Sequence, residues 1–201
     1  MDVRFTFLKR ISSVTFLYFF LLGSCYQDNE HFELPPITQT GENTFGCKIN
    51  GRVMVPRDGT GTFNMEDRGL VLYGSPEYSN YLDIIAHDFA SDKTSKVVIR
   101  IENLHQTGIC QVNESNCTWV DSPLTTNIFC RVYDYDEKVY KSYCSYPNSG
   151  EIIITRFDDN KFIAGEFHCR LRQYEDPSDE IEITSGRFDI DLSTLRGARF
   201  P

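Results

Sequence analysis

Residues 96–104 (KVVIRIENL) alternate: Val97, Ile99 and Ile101 fall on one side, Val98, Arg100 and Glu102 on the other. A period of two is the repeat of an extended strand, and no helix gathers such a set onto one face. The same one-sided pattern recurs along the chain. Residues 45–56 (FGCKINGRVMVP) read as two strands joined by Asn50-Gly51, a pair that accepts positive φ at both turn positions. Residues 69–73 and 81–89 read as neighbouring strands, and 128–144 as a hairpin centred on Glu137. Residues 150–157 and 161–172 flank the turn-rich triplet Asp158-Asp159-Asn160, and 180–184 and 186–192 close the pattern. The stretch 113–127 is irregular and holds Trp119. No long stretch has helical period. The expectation is an all-β domain, an antiparallel β-sandwich or open barrel of roughly ten short strands. At 201 residues the chain is long enough to bury a real core.

The first 25 residues follow a different logic. A short basic segment (Arg4, Lys9, Arg10) precedes ISSVTFLYFFLL at 11–22. Twelve helical residues reach about 18 Å, short of the roughly 30 Å hydrocarbon core, so the run reads as an export signal rather than a transmembrane helix. Leu22-Gly23-Ser24-Cys25 follows, which resembles a bacterial lipobox. The expected organisation is a lipoprotein signal peptide at 1–24, a lipidated tether at 25–43 and a single all-β domain at 44–201. Acyl chains on Cys25 would anchor the protein to a membrane, since two or more chains hold stably where one does not. Asp28 and Glu30, just behind that cysteine, resemble the surface-export signals of some Gram-negative lipoproteins. The expected location is therefore the cell envelope, lipid-anchored at the outer membrane; Asp28 and Glu30 read either as a surface-export signal or as part of a plain solvated tether, so the side of the membrane stays open. The formal net charge of −9 argues against nucleic acid as partner, because phosphate recognition needs a basic surface.

Seven cysteines less Cys25 leave six, a load that suits an oxidising compartment. Centring the 128–144 hairpin on Glu137 sets Cys130 opposite Cys144, where a cross-strand disulfide fits. Cys110 and Cys117 bracket a short loop that a bond would clip. Cys47 alternates with Phe45 and Ile49, and Cys169 with Phe167 and Leu171, so both point inward and form the third expected pair. The spacings contain no C-x-x-C pair, and the four histidines are scattered, which argues against a metal site.

The segment Leu34-Pro35-Pro36-Ile37-Thr38-Gln39-Thr40-Gly41, followed by Asn43-Thr44-Phe45-Gly46-Cys47, is distinctive, as are GEIIITR at 150–156 and IEITSGRFD at 181–189. Together they resemble a group of uncharacterised Gram-negative lipoproteins with an LPPxTQTGxNTFG-type segment behind the anchor. The resemblance covers both ends of the mature chain and little of its middle. It implies an all-β domain in the envelope and carries no catalytic residues. Physically, the threonines of this segment can hydrogen-bond locally, and Gly41 and Gly46 permit tight turns or close backbone approach. The segment is expected to lace the tether onto the sheet.

No nucleophile elbow, P-loop, HExxH or Rossmann glycine pattern is present. His87-Asp88 are strand neighbours that point to opposite faces, so a structural histidine is expected there. The carboxylate pairs Asp134/Asp136, Glu180/Glu182 and Asp189/Asp191 read as solvated strand faces. Neither catalytic residue, metal nor cofactor is predicted. Aromatic residues are the functional lead. The hairpin reading puts Tyr133, Tyr135 and Tyr143 on one face with Arg131 and Lys141; Tyr73, Tyr78 and Tyr81 surround a turn, and Trp119 sits in a loop. Such rings suit a sugar or a protein surface. The expected function is a non-catalytic, lipid-anchored envelope protein with a binding or structural role and a glycan or envelope protein as partner. A glycan-binding lipoprotein attached to an uptake system is the alternative, and a hydrolase using two converging carboxylates comes third.

Overall fold

Alternation of apolar and polar residues gives each strand one face to bury, and eleven strands satisfy that demand by pairing into one antiparallel sheet that curls into a half-barrel. The computed structural model describes residues 32–63, 66–74, 79–118, 124–158 and 161–201. The strands are β1 (Thr44–Ile49), β2 (Arg52–Met54), β3 (Leu70–Gly74), β4 (Tyr81–Asp88), β5 (Ser95–Glu102), β6 (Gly108–Gln111), β7 (Asn127–Asp134), β8 (Val139–Cys144), β9 (Gly150–Asp158), β10 (Phe162–Gln173) and β11 (Glu180–Asp191). A short 3-10 helix, Leu195–Gly197, follows. The sheet runs β2-β1-β11-β10-β8-β7-β5-β4-β3. The long β10 shares one edge: its first part pairs with β9, which carries β6, and Arg172 and Gln173 pair with β8.

Most of the expected strands are present, with two differences. The segments expected as separate strands at 180–184 and 186–192 form one strand, β11, which a bulge at Ser185 (φ 53°) bends without breaking. Strand β6 falls in a stretch to which the sequence assigns no element, because its four residues are too few to show a period. The Asn50-Gly51 turn forms with φ of 46° and 80°, as the dipeptide demands.

The concave face holds the core. Ile84, Ile99, Ile128, Ile152 and Ile163 are fully buried there, and the rings of Phe45, Phe167 and Phe188 stack in sequence at 5.5 and 6.4 Å. A smaller cluster of Ile85, Val98 and Phe129 lies on the convex face.

The cysteines depart from the expected pairing. Cys117 is bonded to Cys144, and Cys47, Cys110, Cys130 and Cys169 are free thiols. The expected Cys130–Cys144 bond fails on register. The hairpin pairs Phe129 with Cys144 and Cys130 with Tyr143, so Cys130 faces the core and Cys144 the convex side. There Cys144 meets Cys117, which packs against the convex cluster and is thereby taken from Cys110. Cys47 and Cys169 both point inward, as expected, but β11 lies between their strands. Two strand spacings are about 9.5 Å, beyond the reach of a disulfide. Burial pushes the Cys47 thiol up to about 12, so it stays protonated and inert as a nucleophile.

The 32–43 segment is fastened to the domain by a buried carboxylate. Asp189 is 1% exposed and accepts the backbone N–H groups of Thr40 (2.9 Å), Gly41 (2.8 Å) and Glu42 (3.3 Å). Gly41 holds φ at 84°, and a Cβ there would stand 2.4 Å from the Phe162 ring; one on Gly46 would stand 2.7 Å from Pro35. The alternation at the end of β11 marks Asp189 as a solvated strand residue and hides that it faces the returning tether; that expectation is corrected by its burial. Burial raises its pKa, but the hydrogen bonds around it outweigh burial and hold it below the ordinary carboxylate value. Asp189→Ala is expected to cost about 2–3 kcal/mol, because three amides lose their acceptor. Amide exchange at Thr40–Glu42 should accelerate first, and unchanged protection there would refute the latch. Since the folded pKa is the lower one, the contribution is full above the unfolded pKa of about 4 and is lost as pH falls through the folded value.

Candidate functional site

The β7–β8 hairpin carries the expected tyrosines, and its turn decides where they point. The Asp134 carboxylate accepts the N–H groups of Asp136 (2.9 Å) and Glu137 (3.0 Å), which starts the turn one residue earlier than a turn centred on Glu137. Lys138 closes it at φ 58°, leaving a four-residue loop from Tyr135 to Lys138. A shift of one residue exchanges the faces of a strand. Tyr133 therefore stands opposite Tyr140, and Arg131 opposite Ser142, on the convex side. Tyr143 and Lys141, expected beside Tyr133 and Arg131, lie on the other face; Tyr143 is 4% exposed and packs in the core.

A ribbon of rings and cations starts on the convex side and ends at the rim of the sheet, where Arg52 stands across from core-facing Ile49. The Arg52 guanidinium lies 5.8 Å from the Tyr135 ring centre, Tyr135 meets Tyr133 edge-on at 5.2 Å, and Tyr133 meets Tyr140 edge-on at 5.2 Å. Arg131 stacks over Tyr140 at 4.3 Å, and the Lys93 ammonium stands 4.6 Å from the Tyr133 centre. Tyr135 and Tyr140 are exposed, at 58% and 39%. One end of the ribbon opens onto a cleft of about 500 Å³ lined by Arg52, Val53, Lys93, Tyr133, Tyr135 and Ile181.

The charges beside the cleft are arranged in two ways. On the inner side Lys141 Nζ lies 2.8 Å from Asp134, 2.8 Å from Glu137 and 3.3 Å from Asp179, and the Tyr143 hydroxyl donates to Asp179 at 3.0 Å. The hydrogen bond from Lys141, followed by the Glu137 amide, draws the Asp134 pKa down to about 2. Burial, then Asp179, pushes the Tyr143 hydroxyl up. These carboxylates converge on an ammonium, and Asp134 in particular is a poor general acid.

On the convex side, Lys96 stands opposite Arg131 on one neighbouring strand and opposite His87 on the other. Burial and then Arg131 lower the Lys96 pKa. Burial, then Lys96, lowers His87 to about 4 against an opposing pull from Asp67, so the imidazole is neutral at pH 7. Its ring stacks on Phe89 at 4.6 Å, and its Nδ1 is buried without a hydrogen-bond partner. Asp88 turns away to a bidentate pair with Arg57 at 2.7 and 2.9 Å. The two neighbours form no acid–base pair.

Tyr73 and Tyr81 stand at the other end of the same face. Lys96 faces Arg131 and Glu102 faces Tyr81, so even Arg131 is separated from Tyr81 by six residues, about 20 Å of strand. Tyr81 covers Arg100 at 4.6 Å, and Arg100 is paired with the buried Asp83. These rings do not join the ribbon. Cys25, Tyr78 and Trp119 lie outside the described residues. Sequence reasoning missed Tyr140, Arg52, Lys93 and Lys96. The signal available was Asp134 itself, whose side chain caps a turn and lengthens it.

Among the described residues no group of three or more His, Cys, Asp or Glu is placed to hold a metal ion, and no helix is long and apolar enough to cross a membrane. No family model, curated protein or solved structure matches the chain.

Proposed function

We propose that the chain is a lipid-anchored, non-catalytic protein of the cell envelope whose β7–β8 face is a binding surface. The observation that carries the binding reading is the ribbon itself: exposed Tyr135 and Tyr140 linked through Tyr133 and flanked by cations, beside an open cleft. Aromatic rings with polar rims supply large contact area at little entropic cost, which is why they dominate recognition surfaces. The export-signal pattern ending in Cys25 supports the envelope, as does the Cys117–Cys144 bond, since disulfides persist in oxidising compartments. The likeness of the 34–47 segment to envelope lipoproteins points the same way. A non-catalytic role is favoured because the carboxylates that meet beside the cleft are neutralised by Lys141. Display by an uptake system is the narrower form of this reading.

The test combines protease shaving of intact cells with a glycan and envelope-protein binding screen of the full-length protein in detergent. Wild type is expected to be shaved and to bind at least one class of partner. Tyr135→Ala/Tyr140→Ala should weaken that binding at least tenfold at unchanged melting temperature. Equal binding by the double variant would refute the assigned surface, and a protected domain in intact cells would refute surface display.

A further inference from the structure

The cations of the described residues fall into two groups, those paired with a carboxylate and those that are not. Arg57, Arg68, Arg100, Lys141 and Arg172 each have a carboxylate oxygen at 2.7–2.8 Å. Arg52, Lys93, Lys96 and Arg131 make no ion pair with any carboxylate among the described residues, and neither do Lys48, Lys138, Lys161, Arg170, Arg187 and Arg196, so lack of a counter-charge alone does not mark the ribbon. What sets Lys96 and Arg131 apart is that they stand directly across from each other on β5 and β7, a like-charge arrangement that costs stability. His87, neutral at pH 7, lies next in the same row, so no carboxylate stands beside Lys96 on either neighbouring strand.

From this placement we infer that the β5–β7–β8 face binds an acidic carbohydrate, a glycan carrying carboxylate or sulfate groups along its chain. The inference rests on the binding reading above and names its ligand class. Charge complementarity supplies the anion: Lys96 and Arg131 repel each other until a negative group lies between them. The rings supply the sugar. A small inorganic anion would need only the cations, whereas the ribbon extends through four successive contacts of 4.3–5.8 Å from Arg131 to Arg52, with Tyr140 and Tyr135 exposed along it. The acidic hairpin tip sets a limit. Asp136 lines the cleft and Glu137 pairs with Lys141, so the negative groups of the ligand belong at the Lys96–Arg131 end. A nucleic acid is disfavoured because its dense charge would meet the acidic remainder of the surface.

The experiment titrates the full-length protein in detergent with polygalacturonate, alginate, hyaluronate and heparan sulfate. The comparison probes are fully methyl-esterified polygalacturonate and a single-stranded oligonucleotide. At least one acidic glycan should bind, weaken with salt, and bind at least tenfold more tightly than the ester and the oligonucleotide. Lys96→Gln/Arg131→Gln should reduce that binding at least tenfold while leaving the melting temperature equal or higher, because a repulsion is removed. A lower melting temperature with intact binding would overturn the inference. So would equal affinity for the methyl ester, which leaves a neutral-glycan surface standing, or equal affinity for the oligonucleotide, which marks a general polyanion site. Loss of binding in Tyr135→Ala/Tyr140→Ala but not in the cation variant overturns the acidic class and keeps the binding face. Wild-type protein that binds none of the acidic glycans refutes the inference, and the wider partner screen then decides the binding reading separately.

Discussion

Asp83→Ala is expected to lower the folding stability by about 3–5 kcal/mol, the range for removing one member of a buried ion pair. Arg100 donates to Asp83 through Nε and Nη2, both at 2.7 Å, with Asp83 at 0% and Arg100 at 5% exposure. The Tyr81 ring closes over the guanidinium at 4.6 Å. The hydrogen bonds that Arg100 donates to Asp83 raise its pKa despite burial, so the arginine cannot escape its charge by losing a proton. Without Asp83 a cation is left in a site with little access to water. Urea denaturation of the single variant measures the cost. The double variant Asp83→Leu/Arg100→Met should recover most of it, since replacing both partners by apolar groups removes the desolvation penalty as well as the attraction. A single variant within about 1 kcal/mol of wild type would mean that the pair is solvated.

The second large effect concerns the bond between β8 and the loop before β7. Cys117→Ala/Cys144→Ala is expected to cost about 3–4 kcal/mol in the chain-entropy model, because the bond closes a loop across 27 positions of sequence. Non-reducing peptide mapping should recover Cys117 joined to Cys144 and four unmodified thiols in the folded domain. Cys130→Ala should leave the bond in place. A peptide joining Cys130 to Cys144 would instead require the hairpin to be paired one residue out of its register, and every face assignment in the ribbon would reverse with it.

That hairpin shows how far local sequence carries. Its two strands were legible from alternation, and the approximate turn from the run Asp136-Glu137-Lys138. The register was not, because it hangs on one carboxylate. Asp134 caps the amides of Asp136 and Glu137 and makes the turn four residues long. One residue of turn length moved Tyr140 into the ribbon, Tyr143 into the core, and Cys144 away from Cys130. The cations came together by a different route. Arg52 follows the Asn50-Gly51 turn, Lys93 sits before β5, and Lys96 and Arg131 are paired across strands 35 positions apart in sequence. No periodicity within a window reports such a pairing.

The amino-acid sequence by itself determined the class of the fold. Period-two alternation, the Asn50-Gly51 turn and the absence of helical period leave an antiparallel sheet as the arrangement that buries the apolar side chains while satisfying the backbone. It also determined that Cys47, Cys169 and their alternating neighbours face inward, because the face of a residue within one strand follows from parity alone. Tertiary structure decided whatever depends on two distant segments meeting. It set the Cys117–Cys144 bond, the closing of Asp189 on amides almost 150 positions away, and the line of tyrosines and cations that runs from the convex face to the rim of the sheet. The reason is physical: a strand's pattern fixes which side it buries, but its partner and register are chosen by turn length, side-chain caps and competition for edges across the whole sheet.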